Sequence, residues 1–190
     1  MAASVSTRTS ALMCVTCLFL GSGAARGQGI TPPAAYQHAA SSADIPSTVL
    51  FAVALQESGM TVRGRLIPWP WTLNTDGMPH RFRRRAEACA ALRRALTQYR
   101  NVDVGLGQIS VRYHGHRVGE PCELLDPYRN LAITAAILRE HYTPGEDWLV
   151  AIGHYHRPAG GEPAARYRRS VQQHLARVVG TVAASPEARR

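Results

Sequence analysis

The run Asp44-Ile45-Pro46-Ser47-Thr48-Val49-Leu50-Phe51-Ala52-Val53-Ala54-Leu55-Gln56-Glu57-Ser58-Gly59 decides how this chain of 190 residues is read. Pro46 suits a first helical turn, where its missing N–H costs nothing. Val49, Leu50, Val53 and Ala54 recur at helical spacing, and Gly59 is a natural stop. The run therefore predicts a largely apolar helix with a single acid, Glu57, in its last turn. A carboxyl group there is partly shielded from water, which favours its protonated form.

Downstream, residues 61–80 read as irregular structure. Pro68-Trp69-Pro70-Trp71 cannot continue a helix, and Asn74-Thr75-Asp76-Gly77 is turn chemistry. Helical composition returns over Arg81 to Tyr99, with Ala86, Ala90, Leu92 and Leu96 as its apolar positions. Val104 to Tyr113 reads as a short helical or turn-rich segment. Further helices are expected over Asn130 to His141, Asp147 to Tyr155 and Pro163 to Val179. There is no β-alternation worth a sheet and no internal repeat. The expected fold class is mainly α, a single helical domain.

Upstream, Arg8 supplies positive charge, Ala11 to Gly21 is apolar, and small residues follow at Gly23, Ala24 and Ala25. That layout is a secretory signal over residues 1–25. The apolar run is shorter than the roughly 18 residues a spanning helix needs, so no stable membrane span is expected after cleavage. Residues 26–41 read as a lead-in, Gly/Pro-rich from Gly27 to Pro33, 42–179 as the folded domain and 180–190 as a disordered tail. The expected location is the periplasm.

Export bears on the cysteines. Cys14 and Cys17 fall in the signal, leaving Cys89 and Cys122. In an oxidising compartment two such residues suggest one disulfide, worth about 3 kcal/mol or more by loop closure; two independent buried thiols are the alternative. The net charge is +9, and all 22 basic residues are Arg. Removing residues 1–25, with one Arg and no acid, leaves +8. Such a charge suits an anionic polymer outside the cell. No aromatic-plus-basic nucleic-acid motif is present and export removes the opportunity, so no nucleic-acid partner is expected. His114 and His116, and His154 and His156, are closely paired, but neither pair has a Cys or acidic neighbour in a recognised zinc arrangement. No metal or cofactor is expected.

Four separated segments, read in order, resemble the lytic transglycosylases, a lysozyme-like family that cuts peptidoglycan. Gln56-Glu57-Ser58-Gly59 is similar to that family's glutamate-serine motif. Asp103-Val104-Gly105-Leu106-Gly107-Gln108-Ile109 resembles its Gly-Leu-Met-Gln-Ile segment, with Gly107 in place of methionine. Ala151-Ile152-Gly153-His154-Tyr155-His156 stands in the place of Ala-Tyr-Asn-Ala-Gly, with His156 where asparagine is usual. Tyr167 lies in a C-terminal helix where the family keeps a tyrosine. Asp126-Pro127-Tyr128-Arg129-Asn130-Leu131 and Ala135-Ala136-Ile137-Leu138 look like the helix between the second and third motifs. The resemblance covers about residues 42–178.

The resemblance implies a lysozyme-like fold with Glu57 as catalytic acid and base. It protonates the glycosidic oxygen between N-acetylmuramic acid and N-acetylglucosamine, then draws the proton from the muramic C6 hydroxyl, giving a 1,6-anhydro end. Ser58 would orient the carboxylate or bond local backbone. Gly105, Leu106 and Gln108 would line the cleft and contact N-acetyl groups, the glycines permitting close approach of sugar. Tyr155 and Tyr167 would border the carboxylate or pack in the core. Asp103 reads as a turn or capping residue, with a second catalytic carboxylate, favouring hydrolysis, as the alternative. Trp69 and Trp71 are either a sugar-stacking platform or plugs that pin a long loop. The long gap between Glu57 and Gly105 and the cysteines resemble the small members that accompany conjugation, type IV secretion or pilus machines, so peptidoglycan strands and components of such an apparatus are the implied partners. A muramidase-type hydrolase and a non-catalytic wall-binding assembly protein are the rival readings.

Overall fold

A computed structural model describes residues 29–180. The signal reading over 1–25 and the tail beyond Gly180 lie outside the described residues. The elements run α1 (Ala34–Ser42), α2 (Ser47–Ser58), β1 (Gly59–Val62), β2 (Arg65–Pro68), β3 (Thr72–Thr75), β4 (Met78–Arg81), α3 (Arg85–Gln98), β5 (Val102–Val104), β6 (Ile109–Ser110) and α4 (Val111–His114). After two short 3-10 turns, Gly115–Arg117 and Pro121–Leu125, come α5 (Pro127–Glu140), α6 (Trp148–His156) and α7 (Gly161–Val178).

The expectation of a mainly α domain is corrected. Two antiparallel sheets are present, β1-β2 and β4-β3-β5-β6; strand makes up 14% of the described residues beside 58% helix, so the class is mixed α/β. The physical reason lies in the turns. Arg63 and Gly64 both take positive φ, 49° and 74°, and so do Asp76 and Gly77, 46° and 91°. Two consecutive left-handed residues form the tight turn whose twist matches a hairpin. The segment 61–80 is thus two hairpins and not irregular structure. Its four strands have only four residues each, and β3 has three buried positions out of four, so no period of two is visible in them.

A second correction concerns the lead-in, which contains α1. Pro33 precedes an alanine-rich run of strong helix formers. Tyr36 packs edge-on against Phe51 of α2, with centroids 4.9 Å apart. The backbone N–H of Ile30 donates to Val178 O at 2.7 Å, tying the start of the described chain to the end of α7.

The apolar side chains gather in two clusters. One is built around α2, with Tyr36, Leu131, Ala135, Leu138, Ile152 and Val171 contributed by the surrounding helices. The other lies under the larger sheet, where Leu92, Val102, Val104, Ile109, Leu124 and Leu125 meet. Cys89 of α3 and Cys122 form a disulfide inside that second cluster, the pairing expected from their number. Among the described residues no helix is long and apolar enough to cross a membrane.

Candidate active site

Every residue of α2 from Val49 to Leu55 is buried. A helix apolar on all sides must be enclosed, and α1, α5 and α7 pack around this one. In its last turn Leu55 and Ser58 stay buried while Gln56 and Glu57 are half-buried. Tyr167, itself buried on α7, donates its hydroxyl to Glu57 Oε1 at 2.5 Å. Burial pushes the Glu57 carboxyl up to about 7; the Tyr167 hydrogen bond opposes that rise and the negative charge of Asp103 adds to it. The phenols of Tyr155 and Tyr167 are raised above their ordinary value, first by burial and then by the charge of Glu57. Both are neutral donors at physiological pH.

Ser58 does not aim at the carboxylate. Its buried hydroxyl lies 3.0 Å from Ala54 O and 2.9 Å from Leu106 O. It positions Glu57 through the backbone, by locking the end of α2 to the Gly105–Gln108 turn. That turn also packs closely against α5. A Cβ on Gly105, at φ 83°, would lie 2.2 Å from Asn130 Nδ2, and one on Gly107 would lie 2.0 Å from Thr134 Oγ1. Glycine is required here for the close approach of α5. Leu106 is buried in the first cluster. Gln108 takes φ 47° and turns its amide inward, donating to Gly105 O at 2.8 Å and Thr72 O at 3.3 Å.

Asn130 is the residue that sequence reading missed. Fully enclosed on α5, it donates to Val104 O at 2.9 Å and Leu124 O at 2.8 Å and accepts from the Gly107 N–H at 2.9 Å. Its signal was an amide on the helical stripe that runs through Thr134 and Leu138. Tyr155 completes the clamp, donating to Gly107 O at 2.5 Å.

Asp103 is not a turn or capping residue. It lies in β5, opposite Asn74 of β3 and Ser110 of β6. Burial raises its carboxyl above the ordinary range, while a hydrogen bond from Ser110 opposes the rise. The two tryptophans divide. Trp71 packs against the second cluster, as a plug would. Trp69 is half-buried beside the site, its backbone N–H donating to Ser58 O at 3.0 Å and its indole Nε1 fixed on Phe82 O at 2.7 Å.

The arrangement can hold one proton near neutrality on Glu57 and deliver it outward. Cavities elsewhere, of about 320 Å3 beside Asp147 and Arg168 and about 440 Å3 beside Ala39 and Arg139, include none of these residues. Among the described residues no group of three or more His, Cys, Asp or Glu side chains converges to hold a metal ion.

No protein-family model, curated protein or solved structure matches the chain.

Proposed function

We propose that this protein is a peptidoglycan lytic transglycosylase that cleaves the β-1,4 bond between N-acetylmuramic acid and N-acetylglucosamine in the wall. The observation that carries the reading is the environment of Glu57: a half-buried carboxyl titrating near 7, held by the hydroxyl of Tyr167. A general acid works best when its pKa lies near the working pH. Glu57 protonates the leaving oxygen as the C1–O bond breaks. The resulting carboxylate then takes the proton of the muramic C6 hydroxyl, whose oxygen closes on C1. The product carries a 1,6-anhydro end, and no water is consumed. Assistance from the sugar's own acetamido group lets one carboxylate suffice. The signal-like residues 1–25 support a periplasmic site of action, and the long insertion between Glu57 and Gly105 supports service to a conjugation, secretion or pilus apparatus.

A second reading, a muramidase that uses water, is favoured by one observation: the charge of Asp103 on β5 acts on Glu57. Two carboxylates flanking the scissile bond are the usual hydrolytic arrangement. Glu57→Gln tests what the two readings share. Digestion of purified glycan strands should fall by about a hundredfold or more; unchanged digestion would remove Glu57 from the chemistry.

A further inference from the structure

His156 is the last residue of α6. Its imidazole lies flat against the ring of Tyr167, with centroids 4.4 Å apart and planes 3° from parallel. Tyr167 is the phenol that donates to Glu57. Consecutive residues of α6 thus reach the site from two directions, Tyr155 through Gly107 O and His156 through Tyr167.

A phenol on a long helix can swing about its side-chain torsions unless something bounds its ring. One face of Tyr167 is bounded by His156, whose other side is exposed to solvent. Among the described residues no hydrogen bond of the imidazole competes with the stack. An offset or parallel aromatic contact of this kind favours one ring orientation beyond the area it buries. In that orientation the Tyr167 hydroxyl meets Glu57 Oε1.

We infer that His156 is a positioning residue for Glu57, its stacked imidazole fixing the Tyr167 hydroxyl on the carboxyl oxygen. The inference rests on the reading of Glu57 as the proton donor. The charged surroundings of His156 are few. Arg157 follows it in sequence; on α7, Arg168 lies over Gly153, one turn back; just past the end of α5, His141 meets His154 and not His156. Burial and then the charge of Arg157 lower the pKa of His156 below its ordinary value. Near neutrality the stack is therefore between two neutral rings, and on acidification it places a cation over the phenol face.

The sign of the effect follows from the hydrogen bond. A donor to the charged form of an acid holds its pKa down, so a Tyr167 that has lost its stack lets Glu57 rise. The test is a carbon-13 NMR titration of the Glu57 carboxyl in the full chain, alongside glycan-digestion kinetics. His156→Ala should raise the Glu57 titration by roughly half a unit to one unit, part of the worth of one hydrogen bond to a charged group, and lower kcat more than it raises KM. His156→Phe, which keeps a flat ring, should titrate and turn over like the parent, and Tyr167→Phe should abolish any further effect of His156→Ala. Should alanine prevent folding, His156→Asn replaces it as the unstacked variant. An unmoved Glu57 titration in the unstacked variant, or a phenylalanine variant as impaired as alanine, would overturn the inference. A parent chain that cleaves no glycan, yet whose Glu57 moves in His156→Ala, would keep the positioning role and overturn the glycan-cleaving reading alone.

Discussion

The hydroxyl of Tyr167 and Oε1 of Glu57 meet at 2.5 Å across 110 residues of sequence. This contact joins the end of α2 to α7 at the one point where the apolar helix presents a carboxyl group. It also stands as the main brake on a pKa that burial drives upward.

Removing that brake has a definite sign. Tyr167→Phe should move Glu57 further above 7, so the alkaline limb of the activity profile shifts to higher pH. Turnover should fall about ten- to a hundredfold with the loss of one hydrogen bond to a charged group. A pH profile of glycan digestion measures both effects.

Asp103→Asn should act oppositely on the same profile. Its negative charge raises Glu57, so its removal lowers the pKa and draws the alkaline limb to lower pH. A transglycosylase keeps turnover within a few fold in this variant, whereas a hydrolase that uses Asp103 loses it. Steady-state kinetics at the two optima separate these outcomes.

Glu57 should also set a pH dependence of stability. Its folded pKa, about 7, lies above its ordinary value of 4.5. The folded state therefore binds the proton more tightly, and stability falls as pH rises between those values. Glu57→Gln removes this loss. Its melting temperature should exceed the parent's at pH 8, with the gap narrowing toward pH 5. Equal gaps at both pH values would show that the carboxyl is not perturbed.

The buried side chain of Asn130 carries three hydrogen bonds. Asn130→Ala leaves Val104 O, Leu124 O and the Gly107 N–H to find new partners, at a cost of about 2–4 kcal/mol. Denaturant unfolding should record that loss. Reducing the Cys89–Cys122 disulfide, which spans 33 residues, should cost about 3.7 kcal/mol on the loop-closure estimate; a non-reduced mass showing two free thiols would contradict the bond.

The helices were legible because they are long and carry their own punctuation: Pro46 and Gly59 bound α2, and Asp126-Pro127 opens α5 with the Asp126 side chain accepting from Arg129 N. The sheets were not legible, because a four-residue strand with buried positions on both faces offers no alternation to count. Asp76-Gly77 announced a turn, yet nothing local said that its flanks would pair with β5. α1 was hidden by the prolines before it. At the site, motif order singled out Glu57, Tyr155 and Tyr167, but not what the glycines serve. Gly105 and Gly107 make room for Asn130 and Thr134, a contact between segments more than twenty residues apart in sequence. Asp103 was misread for the same reason, since its neighbours Asn74 and Ser110 belong to other strands.

The end group left on the glycan tests the central claim most directly. Purified strands are digested with the protein, and the released muropeptides are weighed by mass spectrometry. The account predicts 1,6-anhydro-muramyl ends, lighter by one water than reducing ends, and their disappearance with Glu57→Gln. Reducing ends alone would contradict the transglycosylase assignment and give the reaction to water and the Glu57–Asp103 pair.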